Sequence, residues 1–128
     1  MHILSGYLIV FLGAGLGGAA RHAVNLIVPR LVASEYPYST ILVNAGGSFF
    51  MGLLAGWFAY KGDSAQAWRL FLTTGVLGGF TTFSTFSLDV ALLWERGEAW
   101  NTAVYVTSSV LLSLCGLFGA LRLMRLMQ

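Results

Sequence analysis

The feature of this sequence that decides the fold is the run Gly78-Gly79-Phe80-Thr81-Thr82-Phe83-Ser84-Thr85-Phe86-Ser87. It combines two glycines, which weaken a helix, with several hydroxyl side chains and three phenylalanines spaced three apart. Apolar sequence flanks the run, so we expect it to lie in the hydrocarbon of a membrane, where an unpaired polar group is costly. Irregular backbone persists at that depth only where protein or water covers it. The run therefore predicts a helix that is broken at Gly78-Gly79 and lines a cavity.

Charge is nearly absent from four long stretches of the chain. Of the 128 residues, 9% are charged and 57% are hydrophobic, whereas soluble domains have about 25% charged residues. Asp, Glu, Lys and Arg do not occur in residues 1–20, 36–60, 70–88 and 99–121. Each stretch approaches or exceeds the ~20 residues that cross a bilayer. We therefore predict an all-α membrane protein.

The short connections between these stretches leave no room for a second domain. We predict a single four-helix transmembrane domain over residues 1–128. Its spans are expected at about 4–32, 38–60, 67–94 and 99–123. The net charge of +2 is small and dispersed, so it does not indicate nucleic-acid binding. The chain has a single cysteine, Cys115, and two histidines, His2 and His22, without carboxylates at metal-ligand spacing.

Basic residues give only a weak preference for one orientation in the membrane. With four spans, the termini and the 61–69 loop share one side, which holds four basic residues: Lys61, Arg69, Arg122 and Arg125. The other side has Arg30 and Arg96. Under the positive-inside rule this difference is small. It permits insertion in both orientations and an antiparallel homodimer, while a single orientation with cytoplasmic termini stays an open alternative.

Polar side chains recur inside the predicted spans. Asn44 in the second span shares a helix face with Ser48, and in the fourth span Tyr105, Ser109 and Ser113 follow each other at four-residue steps. This hydroxyl stripe is expected to line a cavity, although a single Ser or Thr can also bond the carbonyl four residues back. Arg21 in the first span either serves a function inside the membrane or extends to the interface.

The third span has a stripe of phenylalanines that turns gradually around the helix: Phe80, Phe83 and Phe86. Such stripes usually pack in a core. The alternative is that the electropositive ring edges face an anion. Ring edges, amides and hydroxyls replace part of the anion's hydration shell without a fixed charge, which leaves the anion free to exit.

These residues resemble the Fluc/CrcB family of fluoride channels. The resemblance rests on the run from Gly75 to Ser87, on Val43-Asn44 followed by Gly46-Gly47, on Gly17-Gly18 followed by Arg21, and on the stripe in the fourth span. It covers essentially the whole chain, and the run in the third span is its most specific part.

The resemblance implies a fluoride-selective channel that exports fluoride passively, not an enzyme. It implies an antiparallel, dual-topology homodimer with two pores in a bacterial inner membrane. The pore residues implied in this way are Asn44, Phe83, Phe86, Tyr105, Ser109, Ser113 and Thr40. Arg21 is expected in the aqueous vestibule, and the backbone carbonyls of Gly78 and Thr81 from both subunits are expected to hold a structural Na⁺.

Two other functions are compatible with a small four-helix bundle. A small multidrug-type proton-coupled transporter needs a carboxylate deep in the membrane, and the first span has no Asp or Glu. A non-conducting bundle that assembles with larger membrane proteins would need neither the hydroxyl stripe nor the phenylalanines. Fluoride flux through the purified protein distinguishes these functions.

Overall fold

The computed structural model describes residues 3–61 and 65–127, and every regular element in them is a helix. Four helical segments are long and apolar enough to cross a membrane. They are α1 (Ile3–Val32), α2 (Tyr38–Lys61), the third span (Gln66–Glu95) and α6 (Ala99–Leu126). These bounds lie within one residue of the predicted spans, except that α6 ends at Leu126 and not at residue 123.

The third span consists of several helical pieces. It begins as α3 (Gln66–Arg69), continues as a π-helical segment (Leu70–Leu77) and then as α4 (Gly78–Phe80). Two residues, Thr81 and Thr82, then adopt extended backbone angles, with ψ of 156° and 114°. Helix α5 (Phe83–Glu95) completes the span. The predicted position of the break at Gly78-Gly79 is therefore wrong, because both glycines are helical and the extended residues come after Phe80.

Close packing against α1 explains why a glycine is needed at position 79 inside a helix. A Cβ on Gly79 would lie against the backbone of Ala14, and a Cβ on Gly17 would lie against the carbonyl oxygen of Val76. Small residues let membrane helices approach closely where lipid supplies no hydrophobic driving force. The glycine of the run thus serves contact between helices, and the helix continues through it.

Helices α2 and α6 form a second closely packed pair. A Cβ on Gly52 would lie 2.8 Å from the Cβ of Ala120, and a Cβ on Gly56 would lie 2.6 Å from the Cβ of Met124. Helix α5 packs against α6, and α1 packs against the first part of the third span. The extended residues therefore lie where the two pairs meet, with the methyl group of Thr81 against Gly47 of α2.

Candidate functional site

A groove of about 380 Å³ lies between α2, α6 and the extended residues. Five of the predicted pore residues line it: Asn44, Phe83, Phe86, Ser109 and Ser113. The rest of its lining is apolar or carries hydroxyl groups, and among the described residues no charged side chain borders it. The groove thus presents a few uncharged polar groups on a largely apolar surface.

Asn44 binds the backbone of the extended segment at two points. Its Nδ2 donates to the carbonyl oxygen of Thr82 at 2.9 Å, and the N–H of Thr82 donates to its Oδ1 at 2.8 Å. The carboxamide thus replaces the partners that a continuous helix would give Thr82. An asparagine amide has two N–H donors, so one remains after this pairing. Asn44 lines the groove as predicted, and it also holds the break, a role that the sequence did not indicate.

Thr82 holds the start of α5, a role that was not expected from the sequence. Its Oγ1 accepts the N–H of Thr85 at 3.2 Å, so it caps the start of α5, and it also bonds the Oγ1 of Thr85 at 3.1 Å. A threonine three residues before another polar residue at a helix start is a known capping pattern. The Thr82–Thr85 pair indicates a helix start at this point of the run, whereas the low helix propensity of the glycines predicts the break at Gly78-Gly79.

Thr81 ends the first part of the third span. Its N–H and its Oγ1 both donate to the carbonyl oxygen of Leu77, at 3.0 and 2.9 Å. Its own carbonyl lies 3.5 Å from Nη1 of Arg21. Arg21, predicted to line a vestibule, does not border the groove and reaches the extended segment from α1. Residues of α1 and α2 therefore contact the two extended residues from different helices.

The aromatic rings form a continuous series along the groove. The ring centroids of Phe83 and Phe86 are 5.4 Å apart at 41°, and Phe86 stacks on Tyr105 at 5.4 Å and 29°. Phe83 is 78% exposed in the single chain. Phe80, the third member of the stripe, does not border the groove. The stripe is therefore divided, and only its last two rings belong to the site.

The hydroxyl stripe of α6 is also divided. Ser109 and Ser113 line the groove, whereas Tyr105 is fully buried beneath Phe86. The Tyr105 hydroxyl donates to Oδ2 of Asp89 at 2.8 Å, and buried Thr40 lies beside it. Asp89 follows Phe86 by three residues and so shares its helix face. The four-residue spacing predicts that the whole stripe lines one cavity. In the structure, its first residue, Tyr105, is instead hydrogen-bonded to Asp89 on α5.

The two carbonyls predicted to hold Na⁺ fit a hard cation by their chemistry, because such ions take backbone oxygens as ligands. In a continuous helix the carbonyl of Gly78 would accept the N–H of Thr82, but that N–H is bonded to Asn44. The carbonyl of Gly78 is thus released from the helical pattern. The Thr81 carbonyl has Arg21 beside it. Among the described residues, no group of three or more His, Cys, Asp or Glu side chains is placed to hold a metal ion.

Comparison with known proteins places this geometry in context. Residues 8–121 match the family described as CrcB-like protein, Camphor Resistance (CrcB). The chain is 56% identical over 119 residues to fluoride-specific ion channel FluC 2 of Nitrobacter hamburgensis, an alignment that covers 93% of this chain and 96% of the relative. It is 57% identical over 118 residues to fluoride-specific ion channel FluC of Methylobacterium nodulans, covering 92% and 94% of the two chains.

Proposed function

We propose that this chain, which belongs to the CrcB-like family, is a multi-pass membrane channel that conducts fluoride passively. The relatives that share more than half of its residues carry the name of fluoride-specific ion channels. One structural observation supports the same function most directly. The groove gathers Asn44, Phe83, Phe86, Ser109 and Ser113 without a charged side chain among the described residues.

The chemistry of the groove suits a small, tightly hydrated anion. The remaining N–H of Asn44, the Ser109 hydroxyl and the positive ring edges of the phenylalanines each replace part of a hydration shell. A fixed cation in the groove would hold the anion too strongly, since conduction requires both entry and exit. The path is therefore selective through many weak donors.

Fluoride efflux from liposomes that contain the purified protein tests this function. We expect rapid fluoride release when a K⁺ ionophore balances the charge, and negligible chloride release under the same conditions. The matched control is the same protein after heat unfolding. Equal chloride and fluoride fluxes would contradict selectivity. Fluoride uptake that depends on a proton gradient would instead favour a coupled transporter.

The two rings of the groove have a specific test. We expect Phe83→Ile and Phe86→Ile each to slow fluoride flux by at least about tenfold, because each removes a ring edge but keeps apolar bulk. Phe118→Ile, on the exposed side of α6, is the matched control. Normal flux through both groove variants would mean that the rings only pack.

We also propose that two chains form an antiparallel, dual-topology homodimer in a bacterial inner membrane. The exposure of Phe83 beside the groove supports this arrangement, because a second copy would cover the ring and close the groove. The near balance of loop charges supports insertion in both orientations. Labelling of a cysteine added after Gln128, in a Cys115→Ala background, is expected from both sides of the membrane. Labelling from one side alone would contradict dual topology.

A structural Na⁺ on the dimer axis completes the proposal. The Gly78 and Thr81 carbonyls of both chains would hold it, and a bound ion would stabilise the assembled state alone. We expect replacement of Na⁺ by N-methylglucamine to promote dissociation to monomers, measured by subunit exchange between two fluorescently labelled pools. Identical exchange rates in the two cations would contradict a structural ion.

A further inference from the structure

The start of α5 lies in the middle of the third span, where its backbone N–H groups cannot bond water freely. The first four N–H groups of any helix lack partners within that helix. In α5 these belong to Thr82, Phe83, Ser84 and Thr85. Any of these four N–H groups without a partner is available to bind a ligand in the groove.

Two of the four groups have partners and two do not. Asn44 accepts the N–H of Thr82, and the side chain of Thr82 accepts the N–H of Thr85. The residues four positions before Phe83 and Ser84 lie on the other side of the extended segment, so no helical carbonyl reaches these two N–H groups. Among the described residues no side chain accepts them either. Both lie at the positive end of the α5 dipole. Phe83 lines the groove, and the N–H of Ser84 belongs to the peptide group that follows Phe83.

A second and independent observation indicates that a ligand belongs at this point. Ser109 on α6 is only 5% exposed, and its Oγ is buried with no hydrogen-bond partner among the described residues. Ser109 borders the same groove as Thr82 and Phe83. A buried hydroxyl without a partner is unfavourable. An anion in the groove would satisfy it together with the free N–H groups.

We propose that the backbone N–H groups of Phe83 and Ser84 bind the permeating anion directly, and that Asn44 and Thr82 are positioning residues that keep these two groups free. The inference rests on the proposed function and adds main-chain donors to the side chains already described. Because Asn44 and Thr82 satisfy the flanking N–H groups, the anion meets a fixed pair of donors. The helix dipole adds positive potential without a charged side chain.

Replacement of single backbone amides by esters tests the proposal, because an ester removes one N–H and keeps the side chain. Phenyllactic acid at position 83 removes the N–H of Phe83. Lactic acid at position 84, compared with Ser84→Ala, removes the N–H of Ser84. The matched control is leucic acid at position 92, a residue inside α5 that does not line the groove and whose N–H has a helical partner, the carbonyl of Leu88.

We expect the esters at 83 and 84 to lower fluoride flux, relative to their references, by at least about tenfold, the equivalent of one hydrogen bond to an ion. The control ester at 92 is expected to change flux much less. Thermal unfolding with and without fluoride distinguishes loss of an anion contact from general destabilisation. The esters at 83 and 84 should reduce the rise in unfolding temperature that fluoride produces, while the control ester at 92 should retain it.

The outcomes separate this inference from the proposed function. If the unmodified chain conducts no fluoride, the proposed function fails and the inference fails with it. If the chain conducts fluoride and either ester keeps the flux of its reference, the assignment of that N–H is overturned while the channel function stands. An equal loss of flux in the ester at 92 also overturns the assignment, since that N–H is bonded within the helix and lies outside the groove.

Discussion

Gly78-Gly79 and Thr81-Thr82 are neighbours in the chain, yet the glycines, which have the lower helix propensity, stay helical, and the threonines do not. The glycines are weak helix formers, but they stay helical, and Gly79 packs closely on Ala14 of α1. The threonines are extended, with the backbone of Thr82 bonded to Asn44 and the carbonyl of Thr81 close to Arg21. The third span therefore opens where other helices supply hydrogen bonds, and not where its own helix propensity is lowest.

Asn44→Leu should have the largest effect on fluoride flux and on stability. It leaves the N–H and the carbonyl of Thr82 without partners, which costs about 1–3 kcal/mol for each buried group. We expect fluoride flux to be lost and unfolding in detergent to occur at lower denaturant concentration. Asn25→Leu, at an exposed position of α1, is the matched control and should leave both measurements unchanged. Normal flux in Asn44→Leu would mean that the extended residues hold themselves in place.

Gly17→Ala tests the close packing of α1 against the third span at their glycines. The added Cβ meets the carbonyl of Val76, which is backbone and cannot rotate away, so overpacking should cost about 1–3 kcal/mol. Gly18→Ala is a matched control at the next residue, because a Cβ there meets nothing within 4 Å. We expect a lower unfolding temperature in the first variant only. Equal unfolding temperatures would show that α1 and the third span are not closely packed.

Thr82→Val should have a smaller effect on flux and stability than the two substitutions above. It keeps the β-branched shape but removes the oxygen that caps Thr85, and loss of a cap costs about 1 kcal/mol. Fluoride flux should fall by a few-fold, because the freed N–H of Thr85 disturbs the donors next to it. Thr82→Ser keeps the hydroxyl and is expected to restore the flux. Equal flux in the valine and serine variants would remove Thr82 from the positioning role.

The sequence predicted the extent of the four long helical segments well because hydropathy is a sum over local residues. The apolar stretches gave helices that end within a few residues of the expected positions. Polar residues within apolar sequence indicated Asn44, Ser109 and Ser113 as candidates, whereas the place of Phe83 and Phe86 in a pore was implied by the resemblance to the channel family. All five residues line one groove.

The tertiary structure alone decided where the third span opens and which members of each stripe reach the groove. The position of the break depends on Asn44, 38 residues away in the chain. The burial of Tyr105 depends on Phe86 above it and on Asp89, to which its hydroxyl donates. Such choices follow from hydrogen bonds and packing between helices. These contacts form only when the bundle assembles, so the pattern of one segment could not specify them.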